Sequence, residues 1–317
     1  MVKKLTPKEK LIQVLQRGHR MKFRDLCKAC GVNKFAMDKL ISECRQDGMK
    51  IVYGKLDRRF FLSQVPTPYT DAFDMSHLPH KGKIGLVSDT HLCSNAERLD
   101  LLKQAYDHFV AEGITTVIHA GDITDGWQVY RGHEQNVKLI GVQKQAKYVI
   151  DHYPRRAGIK TYFIAGNHDL KAYEKQGIDV CSLIVNGMNI EGRHIEGRKD
   201  LVYLGQYSRM LVLPNEVTIQ VLHPHGGSAY ARSYPQQKRS REMKSDTRPS
   251  MQISGHYHQF CWIVEDYTHM IAMPAFQDET EFFVRLGFPR AMGYCVMNYE
   301  LGFIKFASVN IEYVALT

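Results

Sequence analysis

A chain of 317 residues, 44% hydrophobic and 24% charged, has the composition of a soluble globular protein with room for one large core and one small one. Its opening, MVKKLTPKEK and then LIQVLQRGHR, sustains no apolar run, so neither a signal peptide nor a membrane span is expected. Seven cysteines, an odd number in a chain this long, point to reduced thiols in a cytoplasm rather than a disulfide framework.

The formal charge of +9 is unevenly placed. Residues 1–65 hold 16 Lys and Arg against 6 Asp and Glu, while the rest hold 26 against 27. This partition predicts a polyanion-binding module joined to a nearly neutral body.

Along the chain, Pro7 and KEKLIQVLQRG predict a helix ending near Gly18. FRDLCKAC places Phe23, Leu26, Cys27 and Cys30 on one helical stripe. Asn33 is a good N-cap for a third helix, KFAMDKLISECRQ, with Met37, Leu40, Ile41 and Cys44 inward. KIVYGKLDRRFFL then reads as two short strands around a turn. Three helices and a hairpin outline a winged helix-turn-helix over residues 1–65. DNA is the partner such a module implies, with Lys34, Lys39, Arg45, Arg58 and Arg59 as candidate contacts. Cys27-x-x-Cys30 could suggest zinc, but both thiols fall on the apolar stripe and no second CxxC occurs, so packing is the better reading.

Residues 66–80 are proline-bearing and aperiodic, and are expected to be a linker. Beyond them strands and helices alternate: KIGLVS, a helix over AERLDLLKQAYDHFVAEG, TTVIHAG, a helix over VKLIGVQKQAKYVIDHY, and KTYFIAG. The later segments DLVYLGQYSRMLVLP, EVTIQVL, MQISGHYH and YCVMNYELGFIKFASVNIEYV are strand-rich. Residues 81–317 therefore read as one α/β layered domain with a second sheet packed on the first.

Polar clusters follow these strands. Asp89-Thr90-His91, Gly121-Asp122-Ile123-Thr124-Asp125, Gly166-Asn167-His168-Asp169, His223 and Gly255-His256-Tyr257-His258 each end an apolar run. Ligands bind at strand ends in layered α/β folds, and all five clusters carry metal-ligand residue types. Read as an extended segment, His256 and His258 share one face. Imidazole with carboxylate and no thiolate suits Mn, Fe, Zn or Co better than Mg or Ca. Two such ions can bind a bridging hydroxide and both sides of a phosphoryl group.

The order D-x-H, G-D-x-x-D, G-N-H-D, H, G-H-x-H resembles the calcineurin-like metallophosphoesterase superfamily. The resemblance implies a two-sheet sandwich flanked by helices with two metals, Mn foremost, at the sheet ends. It implies Asp89, His91, Asp122 and His258 around one ion, with Asp122 bridging to a second held by Asn167, His223 and His256. His168 would protonate or stabilise the leaving oxygen, oriented by Asp169 or another carboxylate. Asp125 has either a turn-bracing role or a hydrogen bond to a ligand, and His225 is the rival to His223.

Serine/threonine phosphatases of the superfamily carry an arginine directly after G-D-x-x-D, but here Gly126 and Trp127 follow. SDTHL and the missing arginine resemble the repair nucleases instead, although GDITD differs from their usual second motif. The loop AYARSYPQQKRSREMKSDTR, where Arg232, Lys238, Arg239, Arg241, Lys244 and Arg248 interleave with Tyr230 and Tyr234, fits nucleic acid and fits a solvated basic helix equally well. The expectation is a two-metal DNA phosphodiesterase, a nuclease. A phosphomonoesterase or cyclic-nucleotide phosphodiesterase is the enzyme alternative, and a DNA-binding regulator with a vestigial hydrolase body the other. Complete ligands argue against the last.

Overall fold

The computed structural model describes residues 5–16, 21–46, 49, 51–54, 58–62, 72–226, 231–243, 247–287 and 290–316. Helices α1 (Pro7–Gln16), α2 (Phe23–Cys30) and α3 (Lys34–Gln46) precede an antiparallel pair, β1 (Ile51–Gly54) and β2 (Arg59–Leu62). Local chemistry sets the helix ends. The Glu9 amide donates to Thr6 Oγ1 at 3.2 Å and the Thr6 amide to Glu9 Oε2 at 2.7 Å, a reciprocal cap on α1. Gly31, at φ 69°, closes α2, and the Asn33 side chain accepts from the Ala36 amide at 2.9 Å to open α3. Their apolar stripes meet in one cluster that includes Leu11, Leu26, Met37, Ile41 and Phe60. Cys30 and Cys44 are buried in that cluster and Cys27 packs against it. Burial pushes the Cys27 and Cys30 thiols up, as expected of packing residues. The expected helix end at Gly18 lies outside the described residues.

The body continues with β3 (Phe73–Asp74), β4 (Lys81–Val87), α4 (Leu99–Ala111), β5 (Thr116–His119), α5 (Val142–His152), β6 (Lys160–Ala165), α6 (Lys171–Gln176) and α7 (Val180–Asn186). A hairpin of β7 (Gly187–Ile190) and β8 (Arg193–Glu196) leads to β9 (Leu201–Gln206), β10 (Ser208–Val212), β11 (Thr218–Leu222), α8 (Tyr234–Glu242) and β12 (Met251–Ser254). Then come β13 (Cys261–Glu265), β14 (Thr268–Ala272), α9 (Glu281–Leu286), β15 (Gly293–Leu301) and β16 (Phe306–Ala315).

Two six-stranded sheets result, in the orders β16-β15-β4-β5-β6-β9 and β13-β14-β12-β11-β10-β3. Strands β4, β5, β6 and β9 run parallel, as do β11, β12 and β14. Ile84, Leu86, Ile118 and Ile164 of the first sheet pack on Ile219, Val221 and Ile253 of the second. On the first sheet's other face, Val117 and Phe163 meet Phe109 of α4, Val149 of α5 and Ile184 of α7. Strands buried on both faces need apolar residues at every position, hence the unbroken runs in the sequence.

Three expectations change. The helix expected over residues 137–153 starts only at Val142, because Gly141 sits at φ 112°. DLVYLGQYSRMLVLP is two strands in different sheets, broken at Tyr207, φ 53°. The linker expected over 66–80 is only partly a connector: β3 pairs with β10, and Met75 and Leu78 bury between the sheets. A two-residue strand leaves no alternation to read, which hid it. Residues 66–71 lie outside the described residues.

The N-terminal part meets the body through Phe303, in the turn between β15 and β16. Its ring centroid lies 5.1 Å from Phe23, 5.6 Å from Tyr53 and 5.0 Å from Phe60.

Candidate metal centre

The expected ligands lie just beyond β4, β5, β6, β11 and β12, at the ends of parallel strands from both sheets. Five of them leave the extended conformation: Asp89 (φ 50°), His91 (42°), Asp122 (56°), His256 (80°) and His258 (51°). Such backbone costs on the order of 1 kcal/mol or more per residue and persists where surrounding structure enforces it, typically at functional sites. The strand feeding the GHYH motif stops at Ser254, so His256 and His258 are not alternate residues of an extended segment. They diverge, and each enters a different donor group.

The first group is Asp89, His91 and His258. His258 Nε2 lies 3.3 Å from Asp89 Oδ1 and 3.1 Å from His91 Nε2. The second is Asp122, His223 and His256, with Asn167 between them. His223 Nε2 is 3.1 Å from both Asp122 Oδ2 and Asn167 Oδ1, and His256 Nδ1 is 2.9 Å from the same Asn167 oxygen. Asp122 Oδ2 also lies 3.8 Å from His91 Nε2, so one carboxylate oxygen faces both groups. The motif glycines make this approach possible. A Cβ on Gly166 would stand 2.1 Å from Asp122 Oδ1, and one on Gly255 would stand 2.4 Å from Ser88 Oγ.

These groups fit divalent metals on their own chemistry. His223 donates Nδ1–H to the Ala120 carbonyl at 2.8 Å, His256 donates Nε2–H to the Gly226 carbonyl at 2.7 Å, and His91 donates Nδ1–H to Asp125 Oδ1 at 3.1 Å. Each imidazole, when neutral, then turns a lone pair toward other acceptors, an arrangement that calls for a cation, either a proton or a metal ion. His258 Nδ1 is buried with no hydrogen-bond partner among the described residues. Asp89 and Asp122 are fully buried, and their ion-pair partners among the described residues are all imidazoles. Burial alone would raise both carboxyls, but His258 beside Asp89 and His223 beside Asp122 hold them below the usual carboxylate range. Burial likewise opposes charge on His223, yet the Asp122 carboxylate raises it to about 9. The cluster is built to hold positive charge.

His223, not its rival, enters the cluster; His225 is exposed and packs on Tyr207 at 4.5 Å. His168 donates Nδ1–H to the Asp125 carbonyl at 2.7 Å, with the Asp125 carboxylate 3.6 Å away. Burial lowers His168, but Asp122 and Asp125 outweigh it and raise it to about 9. Asp169 does not orient His168. It accepts from the amides of Ile123, Thr124 and Gly166 and from Thr124 Oγ1, tying two strand-end loops together.

Asp125 hydrogen-bonds one of the candidate ligands, His91. Besides His91 it bonds His133 Nε2 at 3.1 Å and Gln277 Nε2 at 3.4 Å. His133 and Gln277 were not legible in the sequence, since neither follows a strand. Tyr130, Tyr257 and Phe283 were also missed, and with His91, Asp122, Asn167, His256 and His258 they line a cleft of about 270 Å³. His119 is a packed strand residue 3.1 Å from Thr90 Oγ1, and burial raises the Cys93 thiol.

The candidate DNA contacts sit in the N-terminal part. Lys34 and Lys39 are exposed on α3, Arg45 is in its last turns, and Arg58 and Arg59 are exposed at the β1–β2 turn. In the basic loop, Arg248 donates to Ser240 O at 2.6 Å and caps α8, so it is structural. Arg239 donates to Tyr257 Oη at 2.8 Å. Arg232, Lys238, Arg241 and Tyr234 are exposed, whereas Tyr230 and Lys244 lie outside the described residues.

A sequence model of the calcineurin-like phosphoesterases matches residues 82–260. Among solved structures, a novel archaeal phosphodiesterase is 14% identical, with 74% of this chain and 100% of that one covered at a TM-score of 0.39. Zinc-complexed Vps29 from Entamoeba histolytica is 12% identical, with 74% and 99% covered at 0.37. A conserved uncharacterized protein of Streptococcus pneumoniae, a predicted phosphoesterase, is 12% identical, with 74% and 98% covered at 0.34. No curated protein matches the chain.

Proposed function

The chain belongs to the calcineurin-like phosphoesterases, and from that premise we propose that it is a two-metal phosphodiesterase that hydrolyses DNA, a nuclease. The observation that carries the reading is Asp122 Oδ2 facing two complete donor groups, with His168 beside them in the same cleft. Asp89, His91, Asp122 and His258 would hold one divalent ion, and Asp122, Asn167, His223 and His256 the other, manganese foremost among Mn, Fe, Zn and Co. When bound, the ions supply positive charge against the phosphoryl oxygens and lower the pKa of water.

The protein's own groups do the rest. Hydrogen bonds from His91, His223 and His256 to Asp125, Ala120 and Gly226 fix ring orientation and tautomer. His168, with Nδ1 tied to the Asp125 carbonyl, keeps Nε2 for the departing oxygen and delivers its proton there.

Three observations favour a diester in DNA. No arginine follows the second aspartate of GDITD to grip a monoester dianion. The N-terminal three-helix and hairpin part, which we read as a winged helix, carries the excess positive charge, with Lys34, Lys39, Arg58 and Arg59 exposed. Arg232, Lys238 and Arg241 add exposed cations in and beside α8. The free cysteines fit a reducing compartment, and no described helix is long and apolar enough to cross a membrane.

The test is a side-by-side comparison of kcat/KM on a small phosphodiester and its phosphomonoester by manganese-loaded protein. Preference for the diester supports the reading. Preference for the monoester favours a phosphomonoesterase.

A further inference from the structure

An open groove of about 640 Å³ lies between the N-terminal part and the body, apart from the metal cleft. Tyr53 and Arg58 of the β1–β2 hairpin form one wall, and Arg248, Tyr267, Phe303 and Lys305 of the body line the rest. A cavity of about 150 Å³ admits a benzene ring, so this groove has room for a nucleotide.

Strand direction fixes its place in the fold. Ser250 lines the groove just before β12, and the ligand-bearing Gly255–His258 follow the other end of that strand. In the first sheet the Leu301 amide, at the end of β15, donates to the His80 carbonyl just before β4 at 2.7 Å, whereas Asp89 follows β4. The groove and the metal centre therefore occupy opposite ends of the sandwich. Helix α8 connects them: its Arg239 bonds Tyr257 at the metal cleft, and Met243, which ends it, lines the groove. Lys238 and Arg241 are exposed along that helix.

The lining suits a polyanion that carries flat, unstacked rings. Its one carboxylate among the described residues, Asp266, already pairs with Arg248 at 3.4 Å, while Arg58 and Lys305 are exposed. Tyr267 is 84% exposed, with Lys305 Nζ 5.7 Å from its ring centroid. Asp266 and Tyr267 form the two-residue turn between β13 and β14, at φ 47° and 66°. Glycine suits the second position of such a turn, and a bulky side chain there is strained. Packing gives no reason for a tyrosine whose surface is mostly open to solvent; stacking on a ligand's ring does.

We propose that this groove binds an unpaired stretch of single-stranded DNA, with a base stacked on Tyr267 and phosphates held by Arg58 and Lys305, and that the strand continues along α8 to the metal cleft. The inference rests on the nuclease reading and deepens it. The substrate it names is DNA with a single-stranded region long enough to reach both ends of the sandwich.

The test is fluorescence anisotropy of manganese-loaded protein with labelled oligothymidylate and with a duplex of equal length, both phosphorothioate-linked to resist cleavage. Tyr267→Ala should weaken oligothymidylate binding about tenfold. Tyr267→Phe, which keeps the ring, should bind like the parent, and neither variant should change duplex affinity. Lys305→Gln should reduce the slope of log affinity against log salt on oligothymidylate by roughly 0.7. Parent-like affinity in Tyr267→Ala, or an unchanged slope in Lys305→Gln, would overturn the groove. Equal losses on duplex and single strand would overturn its assignment to unpaired bases. Cleavage of ordinary DNA by the parent protein separates the two readings. Cleavage with Tyr267→Ala binding unaltered overturns the groove alone, whereas a parent that hydrolyses methyl 4-nitrophenyl phosphate but cuts no DNA removes the premise as well.

Discussion

His91 Nδ1 lies 3.1 Å from the Asp125 carboxylate, and that hydrogen bond turns the other ring nitrogen toward Asp89, Asp122 and His258. Removing an outer partner of a ligand histidine typically lowers metal affinity 10–100-fold. Asp125→Asn should therefore weaken metal binding by about that factor while the fold survives. Competition with a chelator at fixed pH would read it. Undiminished affinity would return Asp125 to turn-bracing alone.

His168 separates holding metals from using them. His168→Ala should keep both ions yet lose roughly 10²–10⁴-fold in turnover on esters with poor leaving groups. Activated aryl esters, whose leaving group needs little protonation, should lose much less. Equal losses on both ester types would leave positioning as the histidine's role.

The basic N-terminal part should set the salt dependence of DNA binding. Changing Lys34, Lys39, Arg58 and Arg59 together to Gln should reduce the slope of log affinity against log salt by up to roughly 0.9 for each phosphate no longer neutralised. Turnover on a small diester should stay near the parent value. Coincident slopes for the two proteins would place the DNA-binding surface elsewhere, with α8 the next place to test.

Phe303 joins that part to the body by packing on Phe23, Tyr53 and Phe60. Phe303→Ala should cost about 1–3 kcal/mol of local stability. Hydrogen exchange would then quicken in α1, α2 and β2 and stay unchanged in β4, β5 and β6. Uniform protection throughout would show that this aromatic packing contributes little.

Much of this site is readable in the amino-acid sequence. Parallel strands buried on both faces write long apolar runs, so the polar residues ending KIGLVS, TTVIHA and KTYFIA stand out, and Asp89, Asp122 and Asn167 lie there, with His223 placed likewise after EVTIQVL. The direction of His256 and His258 is not readable, because positive φ at non-glycine residues leaves no mark in sequence. The break at Tyr207 is hidden for the same reason. His133 reaches Asp125 from the loop that follows it, and Gln277 from a sequence-distant one.

The most direct measurement is strand cleavage. Purified protein is incubated with labelled linear, circular and single-stranded DNA in Mn, Mg, Zn or Co, beside Asp122→Asn and His258→Ala assayed for metal by elemental analysis. The account predicts cleavage strongest in manganese, with both variants inactive and depleted in metal. Intact DNA under every metal, from protein that still hydrolyses a small phosphoester, would contradict the nuclease reading. Full metal content in both variants would contradict the ligand assignment.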